Sequence, residues 1–376
     1  MATIEATGVV VRAAGEPPRL EPIVVDDPGP GEIRVAVTAN GLCHSDHWAI
    51  ANGNWGAPWP MLLGHEGAGV VEAVGLGVTS PTPGEPVLLT WAMPCGVCPS
   101  CVRDRPRRCA HGWAQPPRMR TADGATLTGT LALGTFATHV VVHAAQAVAL
   151  PPGLDPLAAC LLGCGASTGV GAAVNTGDVR PDDAVAVIGL GGIGLAAVQG
   201  ARIAGARRIV AVDLLPAKFD AARALGATDV VDASVGDAVA TVREMTGGVD
   251  VALEATGVAA VVAQAVAMLG RGGTAVAIGV PAPASDITLA WGEGTPGAAY
   301  PNKVRLTVTD GGDPVPEDFI AWLGWAADGR LDLGAMVSRV APLTEDEIGE
   351  GLRAMLAGEV VRTVYRVDGA PLPGTA

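Results

Sequence analysis

VAVIGLGGIGLAAVQGARIAGARRIVAVD, residues 185–213, is the stretch whose reading decides the fold. The apolar run Val185–Ile188, with Ala184 before it, predicts a buried parallel strand. Gly189-Leu190-Gly191-Gly192-Ile193-Gly194 follows as a G-x-G-x-x-G turn, then a small-residue helix to about Ala204, stopped by Gly205. A second strand, Ile209–Val212, ends on Asp213. Strand, glycine turn, helix and a second strand closing on an acid make one βαβ unit suited to a dinucleotide. Gly189 permits the tight turn, Gly191 lets the backbone approach a pyrophosphate, and Gly194 allows close helix–strand packing. The helix start at Gly192 and Ile193 offers free N–H groups and a partial positive charge to phosphates. Asp213 can accept from the ribose hydroxyls and would repel a 2′-phosphate, which favours NAD over NADP. The competing reading is a glycine-rich turn in an ordinary α/β domain; the strand, helix and terminal acid around the glycines argue against it.

Outward from this unit, helices and strands alternate: helix 156–176, strand 184–188, helix 193–204, strand 208–213, helix 216–225, strand 229–231, helix 236–246, strand 249–253, helix 258–269 and strand 273–278. This is the pattern of a doubly wound parallel sheet, an α/β fold. Before about Leu150 the chain is β-rich instead. Short apolar runs (Gly8–Val11, Ile33–Ala39, Gly69–Val74, Val87–Leu89, Thr138–Val142) alternate with Pro/Gly turns and predict a barrel-like unit. After Asp310 come a polar Gly/Pro loop, helices near Glu317–Asp328 and Thr344–Leu356, and a final strand at Thr363–Val367.

A length of 376 residues suggests about two domains. The net charge of −14 argues against nucleic acid and against an anionic membrane surface. The N-terminus lacks the basic start of a secretory signal, and the longest apolar run is the glycine-broken unit above, not a membrane span. Seven cysteines, four of them bunched, point to metal in a reducing, cytoplasmic compartment and not to disulfides.

The bunched set is Cys95-x2-Cys98-x2-Cys101-x7-Cys109. Four thiolates can close a tetrahedral Zn²⁺ shell with no open position, a structural site. Free surface thiols or an iron–sulfur cluster are the alternatives. Three further segments carry donors of another kind: Cys43-His44-Ser45-Asp46, Gly64-His65-Glu66 and Gly163-Cys164-Gly165. Nothing local proves that they meet. Taken alone, His65 reads equally as a satisfied core histidine and Cys164 as a small buried apolar residue.

Cys43-His-Ser-Asp46, Gly64-His-Glu-Gly-Ala-Gly69, the cysteine quartet, Leu162-Gly-Cys-Gly165, the glycine turn and Asp213 stand in the order and rough spacing of the zinc-dependent medium-chain alcohol dehydrogenases, which this chain resembles over nearly its whole length. The resemblance implies a GroES-like catalytic zinc-binding domain over residues 1–165 and 309–376, and a Rossmann NAD-binding domain over 166–308. It implies two zinc ions per chain. One is catalytic, on Cys43, His65 and Cys164, and the other is structural, on Cys95, Cys98, Cys101 and Cys109. Glu66 matches the acid that approaches the catalytic metal, Asp46 the carboxylate orienting His65, and Ser45 the hydroxyl taking the substrate proton. His44 and Arg362 match pyrophosphate contacts, Lys218 a ribose contact, and Thr168 and Ile193 residues beside the nicotinamide. Trp91, Leu131 and Val280 fall near pocket-wall positions, with Trp55 near the entrance and Val280 also beside the cofactor. The expected enzyme is a homodimer or homotetramer oxidising a primary alcohol, aryl, allylic or otherwise bulky, reversibly with NAD.

The chain departs from the family in two places. The order Ser45-Asp46-His47-Trp48 puts His47 one place off the usual relay base. The segment Thr307–Pro316, TVTDGGDPVP, is unlike the common late strand and loop. Cys160 reads as a core cysteine, His111, His139 and His143 as polar or surface residues, and Arg103–Arg108 as a solvated face. Three other readings stay open. They are a thiol-dependent formaldehyde dehydrogenase of the class III kind, a nicotinoprotein that keeps its NAD through turnover, and a non-catalytic cofactor-binding protein.

Overall fold

The structure is a computed structural model that describes residues 3–53, 56–92, 94–109, 116–282, 284–292 and 297–367. Two compact units are present: Met1–Cys164 with Val315–Gly329 and Leu333–Ala376, and Gly165–Pro314 with Arg330–Asp332.

The second unit is built on a six-stranded parallel sheet. Its strands run in the order Asp229–Asp232, Arg208–Asp213, Ala184–Ile188, Val249–Glu254, Leu269–Ala277 and Arg305–Val308. In chain order this is 3-2-1-4-5-6, the arrangement of a Rossmann sheet. Ala184–Ile188 is fully buried and central because its residues are apolar on both faces, as a strand covered on both sides by helices requires. Its carboxyl end pairs Ile188 with Val212 on one side and Glu254 on the other, so the glycine turn leaves where strand order reverses. Helix Gly192–Ala204 then packs against helix Gly165–Gly171, and glycines set the approach. A Cβ on Gly169 would lie 2.2 Å from the Ile193 carbonyl, and one on Gly200 would lie 3.0 Å from Val170 Cα.

The first unit contains a closed barrel of Thr3–Val11, Arg19–Asp26, Met119–Thr121, Thr126–Gly129 and Met61–Leu62. Beside it a seven-stranded sheet runs Ala147–Ala149, Pro86–Leu89, Glu66–Val74, Glu32–Gly41, Thr363–Arg366 and Arg339–Pro342, with His139–His143 also paired to Glu32–Gly41. Phe136, Tyr365, Leu42, Ala49 and Met61 share one buried cluster, with the Phe136 and Tyr365 rings edge-to-face at 5.5 Å. Among the described residues no single helix is long and apolar enough to cross a membrane.

Three expectations need correction. The helix expected over 156–176 is broken: Pro156–Ala159 and a 3-10 turn Cys160–Gly163 end at Cys164, whose φ −149° and ψ −74° are not helical. Gly163, just before the break, lets the chain pass close to strand Glu66–Val74: a Cβ there would lie 3.0 Å from Glu66 Cα. The strand expected from 273 starts at Leu269, because Val249 pairs with Leu269 across an irregularity in the ladder. The second crossing between units lies at 314/315, not 308/309, because Thr309 and Asp313 hydrogen-bond to Thr176. Strands beyond those expected are Arg19–Asp26, Met61–Leu62, Met119–Thr121, Thr126–Gly129, Ala147–Ala149, Arg305–Val308 and Arg339–Pro342. Strands of only two to four residues are too short to show a period of their own and are specified by their partners.

Candidate active site

Ligand atoms of Cys43, His65, Glu66 and Cys164 all lie within 4.8 Å of one another. Each comes from a different local device. Cys43 is the N-cap of helix His44–Asn52, His65 precedes strand Glu66–Val74, and Cys164 sits at the helix break. Asp46, wholly buried, ties the first two together. One carboxylate oxygen accepts from the Cys43 backbone N–H at 3.0 Å, and the other accepts from the Gly64 N–H and meets His65 Nδ1, both at 3.2 Å. This orients the imidazole and leaves Nε2, buried and with no hydrogen-bond partner among the described residues, as its free ligand atom. A histidine whose second nitrogen bonds a carboxylate is the usual arrangement at zinc. Glycines make room: a Cβ on Gly41 would fall 2.2 Å from Glu66 Oε2, and Gly64, at φ +93°, is backed against the Phe136 N–H.

The electrostatics suit a cation. A hydrogen bond from Cys164 holds the Cys43 thiol well below its usual range, with help from Arg362 and His65, and Cys164 is correspondingly pushed up. Burial opposes charge on His65, yet the Asp46 carboxylate lifts its pKa well above the ordinary value. Two thiolates with one neutral imidazole form a zinc donor set with a fourth position open. Ser45 Oγ lies 3.7 Å from Cys43 Sγ and is half-buried. His44 and His47, on the same helix, are exposed, and Trp48 is half-buried.

Sequence reasoning missed the link between Arg362 and Glu66. Arg362, 5% exposed, places Nη1 3.5 Å from Glu66 Oε1 and donates to the Leu42 carbonyl at 3.1 Å, so it stands beside the ligand cluster. Only an eye for a buried Arg–Glu match across some three hundred positions could have found it.

The sulfurs of Cys95, Cys98, Cys101 and Cys109 also lie within 4.8 Å of one another. Cys98 Sγ is 3.5 Å from Cys101 Sγ and 4.0 Å from Cys109 Sγ. A tetrahedron with metal–sulfur bonds of about 2.3 Å has edges of about 3.8 Å, so the quartet fits Zn²⁺ with no room for a fifth group. Backbone N–H groups of Cys95 and Cys98 point at the sulfurs of Cys109 and Cys95.

In the second unit, Gly189 has φ +88°, and a Cβ on Gly194 would sit 1.8 Å from the Gly189 carbonyl oxygen. Gly191 is different: a Cβ there would meet nothing within 4 Å, which leaves open the approach that a pyrophosphate needs. No side chain caps the following helix start at Gly192 and Ile193. Asp213 closes the far side. Its carboxylate accepts from the N–H groups of Leu190 at 2.7 Å and Leu215 at 2.9 Å, and Lys218 Nζ stands 3.1 Å away. Thr168 is buried, while Val280 is 82% exposed.

Trp91 is 7% exposed, and its neighbours are pinned: Thr90 N–H donates to the Gln146 carbonyl at 2.8 Å, and Ala92 N–H to Thr90 Oγ1 at 3.1 Å. Leu131 is buried in a left-handed conformation, φ +50°. Trp55, His111 and Trp113 lie outside the described residues.

The comparisons agree with this geometry. The family profile described as alcohol dehydrogenase GroES-like domain matches residues 29–152, and that of zinc-binding dehydrogenase matches 192–320. An S-(hydroxymethyl)glutathione dehydrogenase of Escherichia coli is 35% identical over 96% of this chain and 100% of its own length. The chain belongs to the zinc-dependent medium-chain alcohol dehydrogenases. Among solved structures, an alcohol dehydrogenase zinc-binding domain protein from Burkholderia ambifaria matches with TM-score 0.89 at 34% identity, covering 99% of this chain and 100% of that one. The benzyl alcohol dehydrogenase of Acinetobacter calcoaceticus matches with TM-score 0.86 at 26% identity, covering 97% and 99%. This dehydrogenase is therefore an oxidoreductase of a family whose members use zinc and a nicotinamide dinucleotide.

Proposed function

We propose that this dehydrogenase interconverts flat, bulky primary alcohols, benzylic or allylic, with their aldehydes, using NAD. The carrying observation is the convergence of Cys43, His65 and Cys164 around one point with Ser45 beside them. When bound there, zinc supplies Lewis acidity that lowers the pKa of an alcohol hydroxyl, and NAD supplies the hydride acceptor. The chain's own residues do the rest. Ser45 takes the alcohol proton, and exposed His47, two residues on, offers it a way to solvent. Asp46 keeps His65 in the tautomer that presents Nε2. Glu66, held by Arg362, balances charge behind the ligands. The same proposal places the enzyme in the cytoplasm as a homo-oligomer, with the quartet thiols kept reduced.

Asp213 supports NAD over NADP, since its carboxylate would face a 2′-phosphate and already engages Lys218. Asp213→Gly is expected to weaken NAD and relax discrimination against NADP, read as the ratio of kcat/KM values for the two cofactors. A wild-type preference for NADP would show that Asp213 has been misread.

Trp91 supports the substrate class, as a rigid, largely buried aromatic surface in the catalytic unit. So does the likeness to a benzyl alcohol dehydrogenase. Stacking an aryl group against Trp91 is worth about 1–3 kcal/mol at roughly 25 cal/mol per Å². That is some tens-fold in kcat/KM for benzyl alcohol over ethanol. Trp91→Ala is expected to erode this preference; equal efficiency with ethanol in the wild type, or an unchanged ratio in the variant, would sink it. One observation favours a second reading: the Escherichia coli relative acts, by its name, on S-(hydroxymethyl)glutathione. Turnover of that adduct above benzyl alcohol in a side-by-side assay would move the assignment to it.

A further inference from the structure

The segment Thr307–Pro316 is held by a device of its own. It leaves the carboxyl end of the last parallel strand, Arg305–Val308, the edge of such a sheet at which ligands bind. The Thr309 N–H donates to the Ala277 carbonyl at 3.2 Å, at the end of the neighbouring strand. Asp313 Oδ2 then accepts from Thr176 Oγ1 at 2.6 Å and from Thr309 Oγ1 at 3.0 Å, and the two hydroxyls are 2.8 Å apart. Asn175 Nδ2 donates to the Gly312 carbonyl at 3.2 Å. These bonds press the loop backbone onto helix Gly165–Gly171. Gly312 is in the left-handed region at φ +86°, and a Cβ there would lie 2.6 Å from the Ser167 carbonyl oxygen and 2.9 Å from that of Thr168. In return, a Cβ on Gly171 would lie 2.3 Å from the Gly312 carbonyl oxygen. The loop is thus a backbone wedge behind Thr168, and the Asp313 carboxylate is its latch.

We propose that Asp313 is a positioning residue for the cofactor: through Thr176 and Thr309 it locks the 309–313 loop behind Thr168 and so sets the nicotinamide end of the site. This rests on the reading of Thr168 as a nicotinamide contact. The adenosine and pyrophosphate end depends on Gly191 and Asp213, which the latch does not touch. Loss of the latch is therefore expected to act on one end of the dinucleotide only.

Full-length, zinc-loaded enzyme titrated with NADH and, separately, with ADP-ribose, which lacks the nicotinamide, tests this. Asp313→Ala is expected to weaken NADH about ten-fold, the usual scale for losing hydrogen bonds to a charged group, and to raise KM for NAD. ADP-ribose affinity and zinc content should stay at wild-type values. Asp313→Asn, which keeps an acceptor, should recover part of the loss, and Thr176→Ser should bind NADH like wild type where Thr176→Val does not. Should Asp313→Ala fail to fold, Thr176→Val against Thr176→Ser carries the same comparison. Unchanged NADH affinity, or an equal loss for NADH and ADP-ribose, overturns the proposal. Thr168→Val checks the reading beneath it: an unchanged ratio of NADH to ADP-ribose affinity there overturns the nicotinamide contact itself.

Discussion

Cys43→Ala is expected to lower kcat/KM by at least about 10³-fold with the fold intact. The site draws three donors from separate segments, and Cys43 is the one whose thiol its neighbours hold well below its usual range. A Lewis acid in such a site contributes several kcal/mol to the transition state, and 1.36 kcal/mol is a decade in rate. The fold should survive because the helix start keeps its backbone bonds: the Asp46 N–H still donates to the carbonyl of residue 43, and the Asp46 carboxylate still binds the backbone N–H of residue 43. Removing the sulfur takes away its contacts with Cys164 and Ser45 and leaves the backbone around residue 43 bonded. Metal analysis should fall from two zinc ions per chain to one, with an unchanged circular dichroism spectrum. Full turnover in a variant of one-zinc stoichiometry would remove the catalytic role from this cluster.

Cys98→Ala should have the opposite profile. The lobe around residues 94–109 has almost no apolar core: Val97 and Val102 are 81% and 73% exposed, and its helical pieces, Pro99–Val102 and Pro106–Arg108, are one turn each. Such a segment cannot offset its ordering entropy without the metal. Structural zinc contributes on the order of 10 kcal/mol or more in small domains. Loss of even part of that should lower Tm by at least about 10 °C. Trypsin should then cut after Arg103 or Arg108, both exposed. The link from Arg107 to Asp318 anchors one end of the lobe and should slow the cut but not prevent it. Residual turnover measured early and cold should persist, since none of the quartet is near the Cys43 cluster in its hydrogen bonding. Two zinc ions and a wild-type Tm in Cys98→Ala would refute the structural site.

These two clusters differ in how far the chain alone revealed them. The quartet is local: four cysteines within fifteen positions can reach one point whatever surrounds them, so spacing by itself pointed to a closed four-thiolate metal site. The same holds for residues 185–213, where strand, turn, helix and acid are contiguous and each glycine has a steric duty that its position alone assigns. Continuous apolar strands of the parallel sheet were legible for the same reason: burial on both faces writes itself as an unbroken run.

What the chain could not disclose is everything decided by partners far away in sequence. Taken alone, His65 and Cys164 had bland readings and only a family resemblance joined them to Cys43; the fold, with Asp46 bonding both Cys43 and the Gly64–His65 turn, is what brings the three together. The helix expected over 156–176 breaks at Cys164 because packing, not propensity, fixes that residue. Arg362 met Glu66, and Asp313 met Thr176, across separations that no periodicity encodes. The short barrel strands likewise exist because closing the barrel satisfies their backbone groups. Sequence by itself determined the elements whose physics is local, namely the dinucleotide turn, the structural zinc lobe and the buried parallel strands. Tertiary structure alone decided how the Cys43, His65 and Cys164 cluster and its latches are held, because burial and hydrogen-bond partners there come from residues the chain keeps apart.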